Sequence, residues 1–496
     1  MIPPSSLSTR PTGEPVPPAG DVPVSPVRLV ATLLLAISAF QVAAMMIIPA
    51  LPTIGEDLGA SPTDISLSQS LFFAIGGLAA AALPLSDRFG RHRMLAAVLV
   101  LGMAGSVLVA VSASLPLFDI GRWMQATGVV ALPLSFLILR DAVPADRYPL
   151  YLGWLNALNT GITGVDGFIA GWMTDTVGYQ GIFWIAAALG GLALVCVLLC
   201  VPRTAPTAGR RTDWAGLVTL GGGVVALSTG LAQSGSWGWT APGTLALLGL
   251  GTALVATFVL VERLSPQPLV QIGHLASRRV WGLLLFVLFG MAAFMGATAL
   301  LMPYLAQLPK EAGGFGLSAT GYSLAVVPGT LLAVCLAPIA GAVARRTGWR
   351  VILIAGTTVA AGALLGLVLV LGWAVPAFVF VALTGCFFAG AAMTATNGLG
   401  VLFSPAESPA FLPGMVSVMF SFGSSLGFAI CGSMLTREMT TAPGMPPTPT
   451  ESSFTTAFAL MAAFMVVAAL LSVVVPRVRA EGSGHRANTV PQTTEA

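Results

Sequence analysis

Fourteen apolar stretches, each long enough to cross a bilayer, follow one another along the chain: 29–51, 66–85, 94–114, 115–139, 149–173, 180–201, 214–233, 243–261, 280–304, 319–343, 351–372, 376–402, 411–435 and 454–475. A membrane-spanning helix needs about 20 such residues, because the hydrocarbon core is about 30 Å thick and a helix rises about 1.5 Å per residue. Only 8% of the 496 residues are charged and 56% are hydrophobic. A soluble domain carries about a quarter charged residues and has no way to hide so much apolar surface. The sequence therefore predicts an all-α polytopic membrane protein, with short polar or Pro/Gly-rich links between spans.

An even span count puts both termini on one side, and basic links mark that side as cytoplasmic. With the N-terminus inside, 19 of the 22 Lys and Arg fall in cytoplasmic segments; Arg122 lies within a span, and Lys310 and Arg437 fall outside. One misplaced helix would scramble this alternation from that point onward. Residues 1–27 hold eight prolines and lack the basic start and apolar core of a cleaved signal peptide, so they read as a disordered cytoplasmic tail. Residues 477–496 read the same way.

Several functions are excluded by composition. The five cysteines (Cys196, Cys200, Cys335, Cys386 and Cys431) sit in apolar stretches without metal-type spacing and read as small packing residues. His92, His274 and His485 lie in links or the tail, against a His-bound metal or a His relay. A net charge of +3 is too small for nucleic-acid binding. No phosphate-binding Gly-x-x-x-x-Gly-Lys-Ser/Thr is present, and no link is long enough for a signalling domain. A membrane-embedded enzyme would need a reactive constellation; the acidic doublet Glu56–Asp57 has no partners for one.

The link after the second span reads Leu85-Ser86-Asp87-Arg88-Phe89-Gly90-Arg91-His92-Arg93, and the link after the tenth reads Val343-Ala344-Arg345-Arg346-Thr347-Gly348-Trp349-Arg350. Both set basic residues around a glycine on a tight cytoplasmic turn. Two related helix bundles would leave this trace, although a plain topological anchor reads alike.

Further stretches belong with these turns. Span four carries Arg122-Trp123-Met124-Gln125-Ala126-Thr127-Gly128, and span five ends in Gly161-Ile162-Thr163-Gly164-Val165-Asp166-Gly167-Phe168-Ile169-Ala170-Gly171. Together they resemble the major facilitator superfamily, specifically its fourteen-span drug:proton antiporter branch, from about Arg28 to Pro476. Asp87 to Arg93 is similar to the family's Gly-x-x-x-Asp-Arg-x-Gly-Arg-basic turn, with Leu83 at the opening glycine. Arg122 to Gly128 is similar to Arg-x-x-Gln-Gly-x-Gly, with Ala126 at one glycine. In span five, Asp166 and Gly167 stand where the antiporter signature has Gly-Pro. The acid that the branch often carries in span one is Ala43 here.

The resemblance implies a major facilitator fold: two six-helix bundles, 28–201 and 262–476, joined through a linker at 202–213 and two extra spans at 214–261. It implies a monomeric transporter in a bacterial plasma membrane. Such a protein exports small lipophilic compounds in exchange for protons by alternating access, with no cofactor beyond the proton gradient. A proton-coupled importer of a small nutrient is the other reading. Asp87, Arg88, Gly90 and Arg91, with Arg345 and Arg346, would form the cytoplasmic gating turns.

An ionised side chain in the bilayer core is costly and should face protein or water. Arg122 and Asp166 lie deepest, each seven residues, roughly 10 Å, from the outer end of its span. Asp166 is thus the candidate proton-binding carboxylate and Arg122 its counter-charge; a static ion pair and no direct contact are the alternatives. Asp119 lies one turn outward and could compete for Arg122, but it is close to the interface and reads rather as a hydrated side chain. Asn156, Asn159, Thr163 and Asp166 share one helical face, which either lines a watery path or bonds to another helix. Gln41 and Gln125 are further candidate cavity residues. In the other half, Met291, Phe294, Met295, Phe387, Phe388, Asn397, Phe420 and Phe422 offer soft surfaces that suit apolar ligands or simply pack. Pro49, Pro133, Pro328 and Pro338 are candidate kinks.

Overall fold

The computed structural model describes residues 25–144, 147, 150, 151, 154, 155, 166–202, 213–265, 277–404, 411–440 and 447–476. Among these, thirteen helices are long and apolar enough to cross a membrane, and they coincide with thirteen of the expected spans. The remaining one, 149–173, lies mostly outside the described residues; its far end is the helix Asp166–Thr176.

In the N-terminal half the helices are α1 (Pro26–Met45), α2 (Leu51–Asp57), α3 (Pro62–Ala81), α4 (Leu85–Phe89), α5 (Arg91–Ala110), α6 (Leu115–Ala126), α7 (Ala131–Ala142), α8 (Asp166–Thr176) and α9 (Gln180–Cys200). Next come α10 (Trp214–Trp237) and α11 (Pro242–Leu264). The C-terminal half holds α12 (Arg278–Met295), α13 (Met302–Gln307), α14 (Ala319–Thr347), α15 (Trp349–Leu369), α16 (Ala374–Gly385), α17 (Met393–Phe403), α18 (Phe411–Leu435) and α19 (Glu451–Val474). A two-residue ribbon, Met439–Thr440 against Thr448–Pro449, interrupts this all-helical plan in the link before α19, which hydropathy alone does not reveal.

Proline explains several breaks, since its ring lacks an N–H and clashes with the carbonyl four residues back. For Pro49 that residue is Met45, where α1 ends before a short 3-10 turn. For Pro133 it is Val129, inside the 3-10 turn Thr127–Val130 between α6 and α7. Pro328 and Pro338 are instead carried within the 29-residue α14. Wider π-helical turns at Gly296–Leu301 and Cys386–Ala392 join α12 to α13 and α16 to α17. Caps fix other ends: Ser61 and Asp64 form a reciprocal capping box at the start of α3, and Asp213 accepts from Gly216 N–H at 2.7 Å to start α10.

The halves meet along α3 and α18, which pack against each other lengthwise. Phe73 stacks on Phe428 across this seam at 5.6 Å, and Ser70 Oγ donates to the Ser425 carbonyl at 2.9 Å. Helix α10 lies against both α3 and α18, and its Ser228 hydroxyl meets that of Ser425 at 2.8 Å. Helix α11 leans on α10 and is otherwise exposed, with Leu245, Leu250, Val259 and Leu260 outward, as suits a lipid-facing helix. Trp237 and Trp239 are exposed on the turn between them.

Candidate functional site

The deepest charge in the N-terminal half is placed by a close helix crossing. Gly105 of α5 faces Gly121 of α6 so tightly that a methyl on Gly105 would lie 2.5 Å from the Gly121 carbonyl oxygen. Small residues on both sides allow this approach. It brings Ser106 within reach of Gln125, whose Nε2 donates to Ser106 Oγ at 2.9 Å. It also carries Arg122 into the interior, where its side chain is fully buried.

Arg122 is held by neutral groups. One terminal nitrogen, Nη1, donates to the Ala43 carbonyl at 2.6 Å and to Gln125 Oε1 at 2.8 Å, and Nη2 donates to Gln69 Oε1 at 2.9 Å. The guanidinium also lies over the Phe72 ring, 4.0 Å from its centroid. Phe72 continues an aromatic ladder from Phe40 on α1 through Phe73 to Phe428 on α18. The buried cation is thus solvated by two amides, a carbonyl and a π face, and it sits beside the seam between the halves. Arg122 Nε and Gln69 Nε2 are buried with no hydrogen-bond partner. A cavity of about 20 Å³ adjoins Ser106, Gln125, Phe40, Gly102, Met103 and Gly190, room for about one water.

The expected facing of Asp166 and Arg122 does not occur. No hydrogen bond or ion pair joins these two described residues. Asp166 is buried in the first turn of α8, with Oδ2 unpartnered. Rise per residue sets depth but not azimuth: α8 packs chiefly against α14, while Arg122 points between α1 and α3. The carboxylate within electrostatic range of Arg122 is Asp119, one turn away on α6, and Asp119 also feels Asp64 and Ser68 of α3.

On the side opposite the termini, the outer side in the orientation read from the charges, the halves are joined by side-chain hydrogen bonds. Asp175 at the end of α8 accepts the Thr320 N–H at 2.8 Å and the Ala319 N–H at 3.3 Å, the first turn of α14. Burial works against ionising Asp175, but bonds from Thr320, Ser318 and Ala319 outweigh it and hold the carboxyl below the usual carboxylate range. Gln307 Nε2 donates to the Pro49 carbonyl at 2.9 Å, and Thr63 meets Thr436 at 2.7 Å. A methyl on Gly171 would collide with Ala319 O and Ser323 Oγ. Among the described residues, side-chain hydrogen bonds between the two halves gather on this side and continue to the middle of the seam, where Ser70 meets Ser425, so the outer ends of the halves are held together.

The two cytoplasmic turns share a backbone conformation. Gly90 and Gly348 both take φ of 89°, a value that side chains avoid. In the first turn Arg91 donates to Asp87 at 3.0 Å and to the Leu137 carbonyl at 3.3 Å, and it pairs with Asp141 on α7. Asp141 escaped sequence reasoning because it lies 50 residues from Arg91. Arg88 is exposed and over Phe89, Arg346 is exposed, and the Arg345 side chain is not among the described residues.

The remaining cavity candidates scatter. Met291 and Met295 are buried in the core of the C-terminal half, Phe294 lies 5.3 Å from Phe388, and Gln41 and Phe420 are half-buried. Asn397 is exposed. Asn156, Asn159 and Thr163 lie outside the described residues. Gln69, Phe72 and Phe73 were not singled out in the sequence. Their signal was Gln69 itself, an amide inside an apolar span.

Comparison with known proteins follows this geometry. The profile described as "Major Facilitator Superfamily" matches residues 33–428. A uridine/deoxyuridine transporter of Lactococcus lactis subsp. cremoris is 33% identical over 421 residues, 82% of this chain and 86% of that protein. The tetracenomycin C resistance and export protein of Streptomyces glaucescens is 27% identical over 392 residues, 77% of this chain and 71% of that protein. In fold, the crystal structure of the nucleoside transporter NupG is similar with a TM-score of 0.60 at 14% identity, covering 91% of this chain and 99% of that one.

Proposed function

Because the chain belongs to the major facilitator superfamily and is a secondary transporter of small molecules, we propose that it takes up a nucleoside-class solute together with protons by alternating access. The observation that carries this reading is the cluster at the seam, where Arg122, bonded to Gln69 and Gln125, lies over the Phe72 ring, from which Phe73 and Phe428 continue the aromatic ladder. Amides can address the carbonyl and N–H edge of a heterocyclic base, and aromatic faces can stack on it. The likeness to the uridine/deoxyuridine transporter supports the same cargo class. Asp166 is the proposed proton-binding carboxylate: it is buried, membrane-embedded and unpartnered at Oδ2. The proposal includes fourteen spans with both termini in the cytoplasm, the chain working as a monomer in a bacterial plasma membrane.

A second reading, proton-driven export of lipophilic compounds, is favoured by the Phe294–Phe388 contact and half-buried Phe420, and by likeness to the tetracenomycin C protein. The two readings separate in proteoliposomes under an imposed pH gradient. Labelled uridine accumulating with the gradient supports uptake. Indifference to uridine, combined with gradient-driven movement of lipophilic cations or polyaromatic compounds, replaces it with export.

A further inference from the structure

We propose that Asp119 is the positioning residue of Arg122: when its carboxyl is protonated the guanidinium rests on Gln69 and Gln125, and when it is ionised Arg122 swings to pair with it. The inference rests on the reading of the chain as a proton-coupled transporter, and it assigns the switch to a residue outside that reading.

The structure leaves a charge unbalanced. Among the described residues no carboxylate oxygen lies within 4.0 Å of the fully buried Arg122 guanidinium. A buried cation without an anion is a strained arrangement unless the anion is absent only in one protonation state. Asp119 stands three residues earlier on α6, one turn toward the outer side and on the same helix face. Each of the two residues keeps a buried polar atom without a partner, Oδ1 of Asp119 and Nε of Arg122. Orphans of opposite sign one turn apart need only side-chain rotation to meet.

The surroundings of Asp119 fit such a switch. From α3 it faces Asp64, Ser68 and, beyond them, Gln69. Asp64 is committed to the Ser61 cap, accepting from Ser61 N at 3.0 Å, and adds like charge rather than a competing cation. Ser68 Oγ is buried and unpartnered, a hydroxyl ready to bond the carboxyl. Helix α5, packed on the other side of α6, carries no titratable side chain between Leu95 and Ala110. Asp119 itself is half-buried and lies four residues inside the outer end of α6 at Leu115, near the aqueous boundary in the orientation read from the charges. The assembled cluster of Arg122 with Gln69 and Gln125 is then the protonated state, and losing the proton dissolves it, which ties the shape of the proposed cargo site to protonation.

The test is hydrogen exchange by mass spectrometry on the full-length protein in nanodiscs across a pH series, alongside uridine transport. Protection factors in 115–126 and 62–81 should shift with pH in wild type, by about tenfold for a coupling of ordinary size. Asp119→Asn should hold the low-pH pattern at every pH, and Asp119→Glu should keep the transition at a displaced midpoint. Asp166→Asn should leave it in place. A wild-type protein without a pH response, an Asp119→Asn profile that titrates like wild type, or an unmoved midpoint in Asp119→Glu each overturns the proposal. Wild type that fails to carry uridine yet shows the transition overturns only the cargo assignment.

Discussion

Asp175 accepts the Thr320 backbone N–H at 2.8 Å, so an exposed carboxylate of the N-terminal half holds the first turn of a 29-residue helix of the other. That turn offers unpaired N–H groups and the positive end of the helix dipole, both of which favour an anion. Asp175→Asn keeps an acceptor oxygen but removes the charge. It should raise the outward-open population by about threefold to tenfold, read from spin-label distances across the outer face. An unchanged distance distribution would refute the latch.

The same residue fixes the pH dependence of closure. Its carboxyl is lowered from 3.8 in the closed form, so the contribution to closure is complete above that ordinary value and is lost as pH falls through the depressed one. Outer closure due to Asp175 should be constant over about pH 5 to 8 and weaken only in strong acid. The spin-label distances, followed down an external pH series, check the sign.

The α5–α6 crossing makes a steric prediction with an internal control. A methyl at Gly121 would lie 2.7 Å from Val109 Cγ2 and 2.8 Å from Gly105 O, whereas one at Gly102 would meet nothing within 4 Å. Gly121→Ala should destabilise by about 1–3 kcal/mol. Gly102→Ala should leave the melting temperature in detergent unchanged.

Arg122 uses a planar fork, with two terminal nitrogens on three oxygens and one ring beneath. A lysine offers a point charge and cannot span that set. Arg122→Lys should therefore lose about tenfold or more in transport kcat/KM, close to Arg122→Gln, while the folded yield of Arg122→Lys stays near wild type.

At the cytoplasmic turn, Arg91 is shared by Asp87 and Asp141. Removing Asp141 should slow transport to a degree similar to removing Arg91. The double variant Asp141→Asn with Arg91→Gln should be no slower than either single variant, because residues acting as one unit are not additive. Additive losses would show that Asp141 acts elsewhere.

How much of this was legible in the sequence depends on which physical quantity each feature needs. Spans were legible because burying about 20 residues of backbone in lipid leaves a one-dimensional signal. The paired turns were legible because Gly90 and Gly348 must both reach positive φ, and glycine does so without penalty. Arg122 was found because a charge in an apolar helix is conspicuous. Its partners were not: Ala43 offers only a backbone oxygen, Gln69 lies 53 residues away, and α8, which carries Asp166, packs chiefly against α14. Counting residues along helices gives depth, whereas partner choice depends on rotation and on helix contacts distant in sequence.

Helix α10 touches both α3 and α18, with Gly221 against Leu78 and Gly235 against the Ser433 carbonyl. Any rocking of one half past the other must therefore shear one of these two surfaces, and glycine at each keeps them smooth.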